Sequence, residues 1–336
     1  MTRRLFRALL LPLLLGPVAQ AQVTLKIATL VPENSSWFRI IKEMGDTWGK
    51  VSGGKVKVIL YPGGRQGDEP DVVRKMRLGS LQGAVLASLG LAEIDRSVNA
   101  LSVPLLYESD EEVYATLDKL RPQLEGAMDA KGFVMLNWAD GGWVRIFARR
   151  PVATPDDLRR QRLFTWAGDN PVVEIWRGGG FNVIPAPAPD LGTGLQTGLL
   201  DAFLASPQVA LVTRYYEHAP NMTDRKWAII LTGTVLTKDA WNRIPAELRP
   251  ALLKAAQDTG QKLRAEMRAS DAQDIQAMRQ NGLKLVALDG RTLDLWRKMI
   301  DALTGRIRGQ YAPAAAYDQA VKFRDDYRRQ NRAPGR

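Results

Sequence analysis

The chain carries one histidine and no cysteine among its 336 residues, and that scarcity narrows the available chemistry before any fold is considered. Ser-His-Asp triads, Cys-His dyads and typical zinc sites each need imidazole or thiolate partners, so nucleophilic acyl transfer and zinc-assisted hydrolysis are left almost without means. His218 sits in Tyr215-Tyr216-Glu217-His218-Ala219-Pro220, a helix-end context that reads as structural. Gly192-Thr193-Gly194 opens a predicted helix and could cradle an anion. It lacks the GxGxxG spacing after a strand and the Gly-Lys-Ser of a phosphate loop, so helix entry and close packing are its plainer role. Carboxylates are plentiful but form no acid/base constellation. The expectation is a binding protein rather than an enzyme, with no catalytic residue, no metal site and no cofactor.

Aromatic residues beside turns are the feature that recurs. Trp37 opens the first predicted helix next to Ser36, and Trp138 and Trp143 flank Ala139-Asp140-Gly141-Gly142. Phe164 and Trp166 share one strand, and Trp227 precedes another. Tryptophan offers a large apolar face and one N–H donor, which suits capture of a small molecule in a cleft. Core packing is the competing reading for each of them.

These side chains need a scaffold, and the hydrophobic pattern supplies an α/β one. Val23–Leu30, Lys55–Tyr61 and Gly83–Ala87 read as strands separated by helices over Trp37–Ser52 and Glu69–Gly79. That order predicts a mostly parallel sheet with its site at the strand C-terminal ends. A second α/β pattern starts near Gly132: Phe133–Leu136 and Val144–Phe147 are strands, the latter crossing between domains. Arg162–Thr165, Asn170–Gly178, Asn182–Ile184 and Leu191–Gly198 then alternate strand and helix, and Ala228–Leu236 returns to the first sheet. From Pro245 to about Asn281 a single helical period holds, with at most a break near Ser270, and two amphipathic helices follow over Leu293–Ile307 and Ala316–Arg328. The expected division is 22–143 plus about 232–275 in one domain, and 144–231 plus about 276–336 in the other.

The first 21 residues read as a removable export signal: Arg3, Arg4 and Arg7, then apolar Ala8–Leu15, then Ala19-Gln20-Ala21. A periplasmic address follows, and the lack of cysteine leaves stability to packing alone. With the leader's three arginines set aside, 44 basic residues face 36 acidic ones, an excess of +8. They are mixed with acids, as in Asp156-Asp157-Leu158-Arg159-Arg160, which argues for a solvated basic surface and against nucleic acid.

Several segments in this order resemble TRAP-type (tripartite ATP-independent periplasmic) solute-binding proteins of the C4-dicarboxylate-binding kind. They are LKIATLVPENSSW, YPGGRQGDEPDVVRKMRLGSLQGAVLA, PVATPDDLRRQRL and LQTGLLDA. The resemblance implies a two-domain periplasmic-binding-protein-like fold with a central cleft and a long interdomain helix. It also implies a small-molecule ligand, delivery to large and small membrane permease subunits and, for a subset, a tetratricopeptide-type periplasmic partner.

In that family the strand after TPDDL carries an arginine that grips a substrate carboxylate; here the slot holds Phe164, and the polar run expected after Asp201 reads Ala202-Phe203-Leu204-Ala205. A guanidinium gives a carboxylate two charge-assisted hydrogen bonds, whereas Phe164 gives none. The expected ligand is therefore largely apolar or amphipathic, with Arg145, Asp140, Asp169 or Gln66 setting polarity. The expected contact set comprises Ser36, Trp37, Gln66, Trp138, Asp140 and Trp143, followed by Arg145, Phe164, Trp166, Asp169, Phe203 and Trp227. The alternatives are a conventional carboxylate binder using Arg145 or Arg162, and a lipid-like carrier that works without a permease.

Overall fold

One uninterrupted stretch, residues 133 to 148, leaves one sheet and enters another. The computed structural model describes residues 22–331, so the predicted export signal lies outside the described residues. The first sheet grows from β1 (Val23–Thr29), α1 (Ser36–Val51), β2 (Val56–Tyr61), α2 (Glu69–Arg77) and β3 (Gly83–Ala87), followed by α3 (Ser88–Ile94). β1 pairs in parallel with β2 on one side and β3 on the other. Ser35 caps α1 by accepting the Phe38 N–H at 3.1 Å, and the helix buries Trp37, Phe38, Ile41, Met44 and Trp48 along one stripe. The chain then forms α4 (Asp110–Ala130), which is not among the helices predicted above. Pro122 and Gly126 blur its period, yet Ser109 caps it and Val113, Leu117, Leu120, Leu124 and Met128 bury its inner face.

β4 (Phe133–Trp143) completes this half and β5 (Arg145–Ala148) begins the next. α5 (Pro155–Arg159), β6 (Leu163–Trp166), α6 (Asn170–Gly178), β7 (Val183–Ala186), α7 (Leu191–Thr197), β8 (Ala202–Ala205), α8 (Pro207–Val212) and β9 (Asn221–Thr223) follow. The TPDD turn is a capping box, in which the Thr154 hydroxyl accepts the Asp157 N–H and the Asp157 carboxylate accepts the Thr154 N–H at 2.8 Å. β10 (Ile229–Thr237) carries the chain back and lies antiparallel between β3 and β4. The remaining elements are α9 (Lys238–Arg243), α10 (Arg249–Gln280), β11 (Lys284–Val286), α11 (Gly290–Arg306) and α12 (Ala314–Asn331).

The sheet orders are β2-β1-β3-β10-β4 and β11-β9-β5-β8-β6-β7. Both are mixed: consecutive βα units give parallel pairs, and the crossing strands β4, β5 and β10 bring the antiparallel ones. The C-terminal helices divide between the halves. Trp296 of α11 is buried against Phe181 and Trp227 in the second half and donates its N–H to the Ala153 carbonyl. α12 instead packs on α4 of the first half, where Arg328 forms two bonds to Glu112 at 2.6 and 2.8 Å. The expected assignment of 276–336 to the second domain therefore does not describe α12, whose small buried face at Ala316 and Ala320 seats it across the divide.

α10 is a 32-residue helix with no break at Ser270, about 48 Å long at 1.5 Å per residue. It lies on β4 and α1 in one half and on α8 in the other. Its contact with β4 depends on Gly260, where an added Cβ would lie 2.8 Å from the Trp138 carbonyl oxygen and 3.0 Å from Asn137 Cβ. Beside it, the Asn137 amide donates to the Ala256 carbonyl at 2.7 Å while its oxygen accepts the Thr234 N–H at a bulge of β10. In a helix interior, Gly→Ala ordinarily stabilises by about 0.5–1 kcal/mol. We expect that sign at Gly126, which faces open space. Gly260→Ala should instead destabilise, by roughly 1–3 kcal/mol from overpacking. Urea unfolding of the two variants beside the parent chain checks the opposite signs.

Candidate ligand cleft

The cleft lies where the two sheets present the ends of their strands to each other. From the first half come the loop after β1, Trp37 at the start of α1, the end of β3 and Asp140 of β4; from the second come Phe164 and Trp166 of β6, Pro189, and Leu204 of β8. Two hydrogen bonds hold the halves together across it. The Gln208 amide donates to the Ser36 hydroxyl at 3.1 Å, and the Ala188 N–H donates to Asp68 at 2.9 Å. Asp68 also caps α2, so a single carboxylate serves both a helix start and the domain closure. Gly141 lets Trp37 lie against β4, since a Cβ there would be 2.9 Å from the indole ring.

The cleft holds two neighbouring chambers, and Phe164, Trp166, Leu204 and Ile230 line both of them. The larger, of about 430 Å³, is bounded by Trp37, Glu69, Asp140, Val209 and Tyr215. The smaller, of about 190 Å³, runs beneath α6 and α11, past Val172, Trp176, Ile300 and Leu303. No lysine, arginine or histidine lines either chamber among the described residues. The ionisable lining groups besides tyrosine are Glu69, Asp140 and Asp169, and all three hold their protons more tightly than usual. Burial pushes Glu69 up to about 7, against the pull of the Ala87 and Gly90 N–H groups that donate to it at 2.6 Å. Burial likewise raises Asp140, which accepts the Tyr114 hydroxyl and the Gly142 N–H. It takes Asp169, the N-cap of α6, to about 6. Three further polar atoms in the lining residues are buried with no partner among the described residues: the N–H groups of Trp37 and Trp166 and the Thr165 hydroxyl.

Of the residues singled out from the sequence, Trp37, Asp140, Phe164, Trp166 and Asp169 line the cleft. Ser36 stands at the domain contact described above. The others lie elsewhere. The Gln66 side chain accepts from Lys75. Trp138 and Trp143 are buried in the first core, their N–H groups given to Glu125 and Asp110. Trp227 donates to Thr223. Phe203 stacks on Phe147 with ring centroids 5.1 Å apart, because strand alternation turns it to the core. Arg145 is 4% exposed, pairs with Asp271 of α10 at 3.1 Å and donates to the Trp143 carbonyl at 3.3 Å, outside both linings. Arg162 forms a fork on Asp201 at 2.7 and 2.9 Å, joining the start of β6 to the end of the LQTGLLDA segment. Glu69, Thr165 and Tyr215 were not picked out from the sequence. For Glu69 the available signal was an acid directly after the Asp68 cap of a helix with a buried face.

A closed two-domain cleft at strand ends, bridged by one long helix, defines an extracytoplasmic solute-binding protein. The family model for bacterial extracellular solute-binding protein, family 7 (DctP), matches residues 27–309, and the chain belongs to that family of TRAP solute-binding proteins. It is 25% identical over 276 residues to the 2,3-diketo-L-gulonate-binding periplasmic protein YiaO of Escherichia coli (strain K12), covering 80% of this chain and 81% of that one. Its fold is similar to the sugar acid binding protein DctPAm of Advenella mimigardefordensis in complex with galactonate, with a TM-score of 0.85 at 16% identity, covering 91% of this chain and 99% of that one. A TRAP periplasmic solute-binding protein from Ralstonia eutropha H16 with bound (S)-2-acetolactate is equally similar, at a TM-score of 0.85 and 19% identity over 91% and 99% of the two chains. TRAP solute-binding proteins are periplasmic, bind small-molecule ligands and work with membrane permease subunits, and they are not enzymes. Among the described residues no helix is long and apolar enough to cross a membrane.

Glu69 gives a pH test of the cleft's electrostatics. Unfolded, its carboxyl ionises near 4.5; folded, it holds its proton to about 7. The folded state therefore binds the extra proton, and this contribution is full below about pH 4.5 and is lost as pH rises through about 7. At 1.36 kcal/mol per unit it amounts to about 3 kcal/mol. Unfolding free energy measured from pH 4.5 to 8 should decline more steeply for the parent chain than for Glu69→Gln, which cannot ionise.

Proposed function

We propose that this TRAP solute-binding protein captures a largely apolar or amphipathic small molecule in the interdomain cleft and delivers it to the permease. The observation that carries this reading is a cleft lining without a single cationic side chain among the described residues. A hydrophilic acid with many hydroxyls needs a partner for each polar group and a counter-charge for its carboxylate. This cleft offers chiefly aromatic and aliphatic walls, and its ionisable groups besides tyrosine are the acids Glu69, Asp140 and Asp169, none of which supplies a counter-charge to a carboxylate. Burial at about 25 cal/mol per Å² of apolar surface then supplies most of the affinity. A tetratricopeptide-type partner belongs to this reading on the resemblance alone.

A second reading, a carboxylate binder using Arg145 or Arg162, draws support from the acids named for the relatives, which include galactonate and acetolactate. It requires Arg145 to leave Asp271, or Arg162 to leave Asp201. Nothing favours a carrier without a permease.

Native mass spectrometry of the protein as purified, with extraction and identification of any bound molecule, tests the first reading. An apolar or amphipathic compound is expected, and recovery of a hydrophilic dicarboxylate or sugar acid would overturn it. Trp166→Ala should weaken binding of the recovered ligand about thirtyfold, the equivalent of about 2 kcal/mol of lost burial. Arg145→Met should lower stability while leaving ligand affinity within about twofold; calorimetric titration and thermal unfolding separate the two effects.

A further inference from the structure

The smaller chamber has no task in the account so far. It is not a flaw in one domain core, because its walls come from three places: Leu89 and Pro104 of the first half, Val172 and Trp176 of α6, and Ile300 and Leu303 of α11. Several of its polar side chains are occupied within the protein. The Ser88 hydroxyl meets that of Ser102 at 3.1 Å and donates to the Leu231 carbonyl, and the Asn99 amide donates to the Tyr311 carbonyl at 3.0 Å. Asp169, at the N-cap of α6, accepts the Val172 N–H at 3.4 Å and is the one carboxyl group in this lining, the rest of which is chiefly aliphatic and aromatic. Thr165 of β6 belongs to this lining alone, while its neighbours Phe164 and Trp166 line both chambers.

We propose that this chamber is a binding site for the apolar tail of the ligand, with the polar head held in the larger chamber and the chain passing the neck between Phe164, Trp166, Leu204 and Ile230. The inference rests on the apolar reading of the cleft given above and adds a length and a direction to it. An apolar cavity of about 150 Å³ takes up benzene, with six carbons. At about 190 Å³ the chamber accommodates a tail of roughly seven or eight carbons, or one substituted ring. The substrate class is then a small amphiphile with a compact neutral or hydrogen-bonding head, smaller than a membrane lipid. Trp166 serves both ends, since it lines the tail chamber and the head chamber alike.

The test uses a homologous series of 1,2-alkanediols from four to twelve carbons, titrated calorimetrically against the full mature chain. Affinity should rise about fourfold with each added methylene while the tail fills the chamber. It should then level off once the tail exceeds roughly eight carbons. Ile300→Trp, which fills the chamber, should shorten that limit by about three carbons and leave the shortest diols unaffected. Ile300→Ala should lengthen it by one or two, and carries the test if the larger side chain prevents folding. Diols that bind with a chain-length limit unmoved by a folded variant would overturn the tail chamber while leaving the apolar cleft intact. Failure of every diol alongside tight binding of galacturonate would overturn the apolar cleft itself, and the tail chamber with it.

Discussion

The arrangement depends on how closely α10 approaches β4. A helix laid on a sheet normally stands off by the depth of a side chain, but Gly260 removes that layer and brings helix backbone to the Trp138 carbonyl. Asn137 fastens the contact by bonding the helix on one side and β10 on the other. Eleven residues further along, about 16 Å on the helix axis, Asp271 receives Arg145 from the strand that begins the second half. The same rigid rod is thus anchored to the sheet that ends one half and to the strand that opens the next. The spacing of the cleft walls follows from those two anchors, and the Gln208–Ser36 and Ala188–Asp68 bonds close the far side.

That scaffold changes the meaning of the two arginines that a carboxylate-binding reading would recruit. A guanidinium buried against a single carboxylate is held in place by the desolvation it would suffer alone. Burial is also the main influence on Arg145, lowering its proton affinity against the pull of Asp271. Releasing it to a ligand would strand Asp271 on the bridging helix. Arg162 holds Asp201, whose carboxyl is kept below the usual range chiefly by that same bond. Both charges are committed to joining segments of the protein. Inside the cleft the balance runs the other way, with acids whose affinity for a proton is raised because burial outweighs their hydrogen bonds.

Much of the fold was legible in the sequence. The βα alternation, the crossing strand at Val144–Phe147, the return at Ala228–Leu236 and the long helix follow from hydrophobic period and turn residues. α4 was missed because Pro122 and Gly126 weaken local helical preference, while its tertiary contacts along Val113 to Met128 override that preference. The short strands β9 and β11, three residues each, carry too little pattern to register. The site was half legible for a related reason. Tryptophans beside turns line the cleft where the turn faces it, as at Trp37 and Trp166. They misled at Trp138, Trp143 and Trp227, whose N–H groups satisfy partners inside the core.

Phe203 shows why family slots need a register as well as a position. Its neighbour Leu204 reaches both chambers while Phe203 stacks on Phe147, so one step along β8 separates a cleft-lining residue from a core residue. The apolar character inferred for the run Ala202-Phe203-Leu204-Ala205 therefore belongs to the cleft through Leu204 and Ala205 alone. Phe164 does not suffer this ambiguity, since it lies on the lining of both chambers. An arginine there would bring a positive charge to a lining that has none among the described residues. Phenylalanine at this position instead extends the aromatic wall that both chambers share.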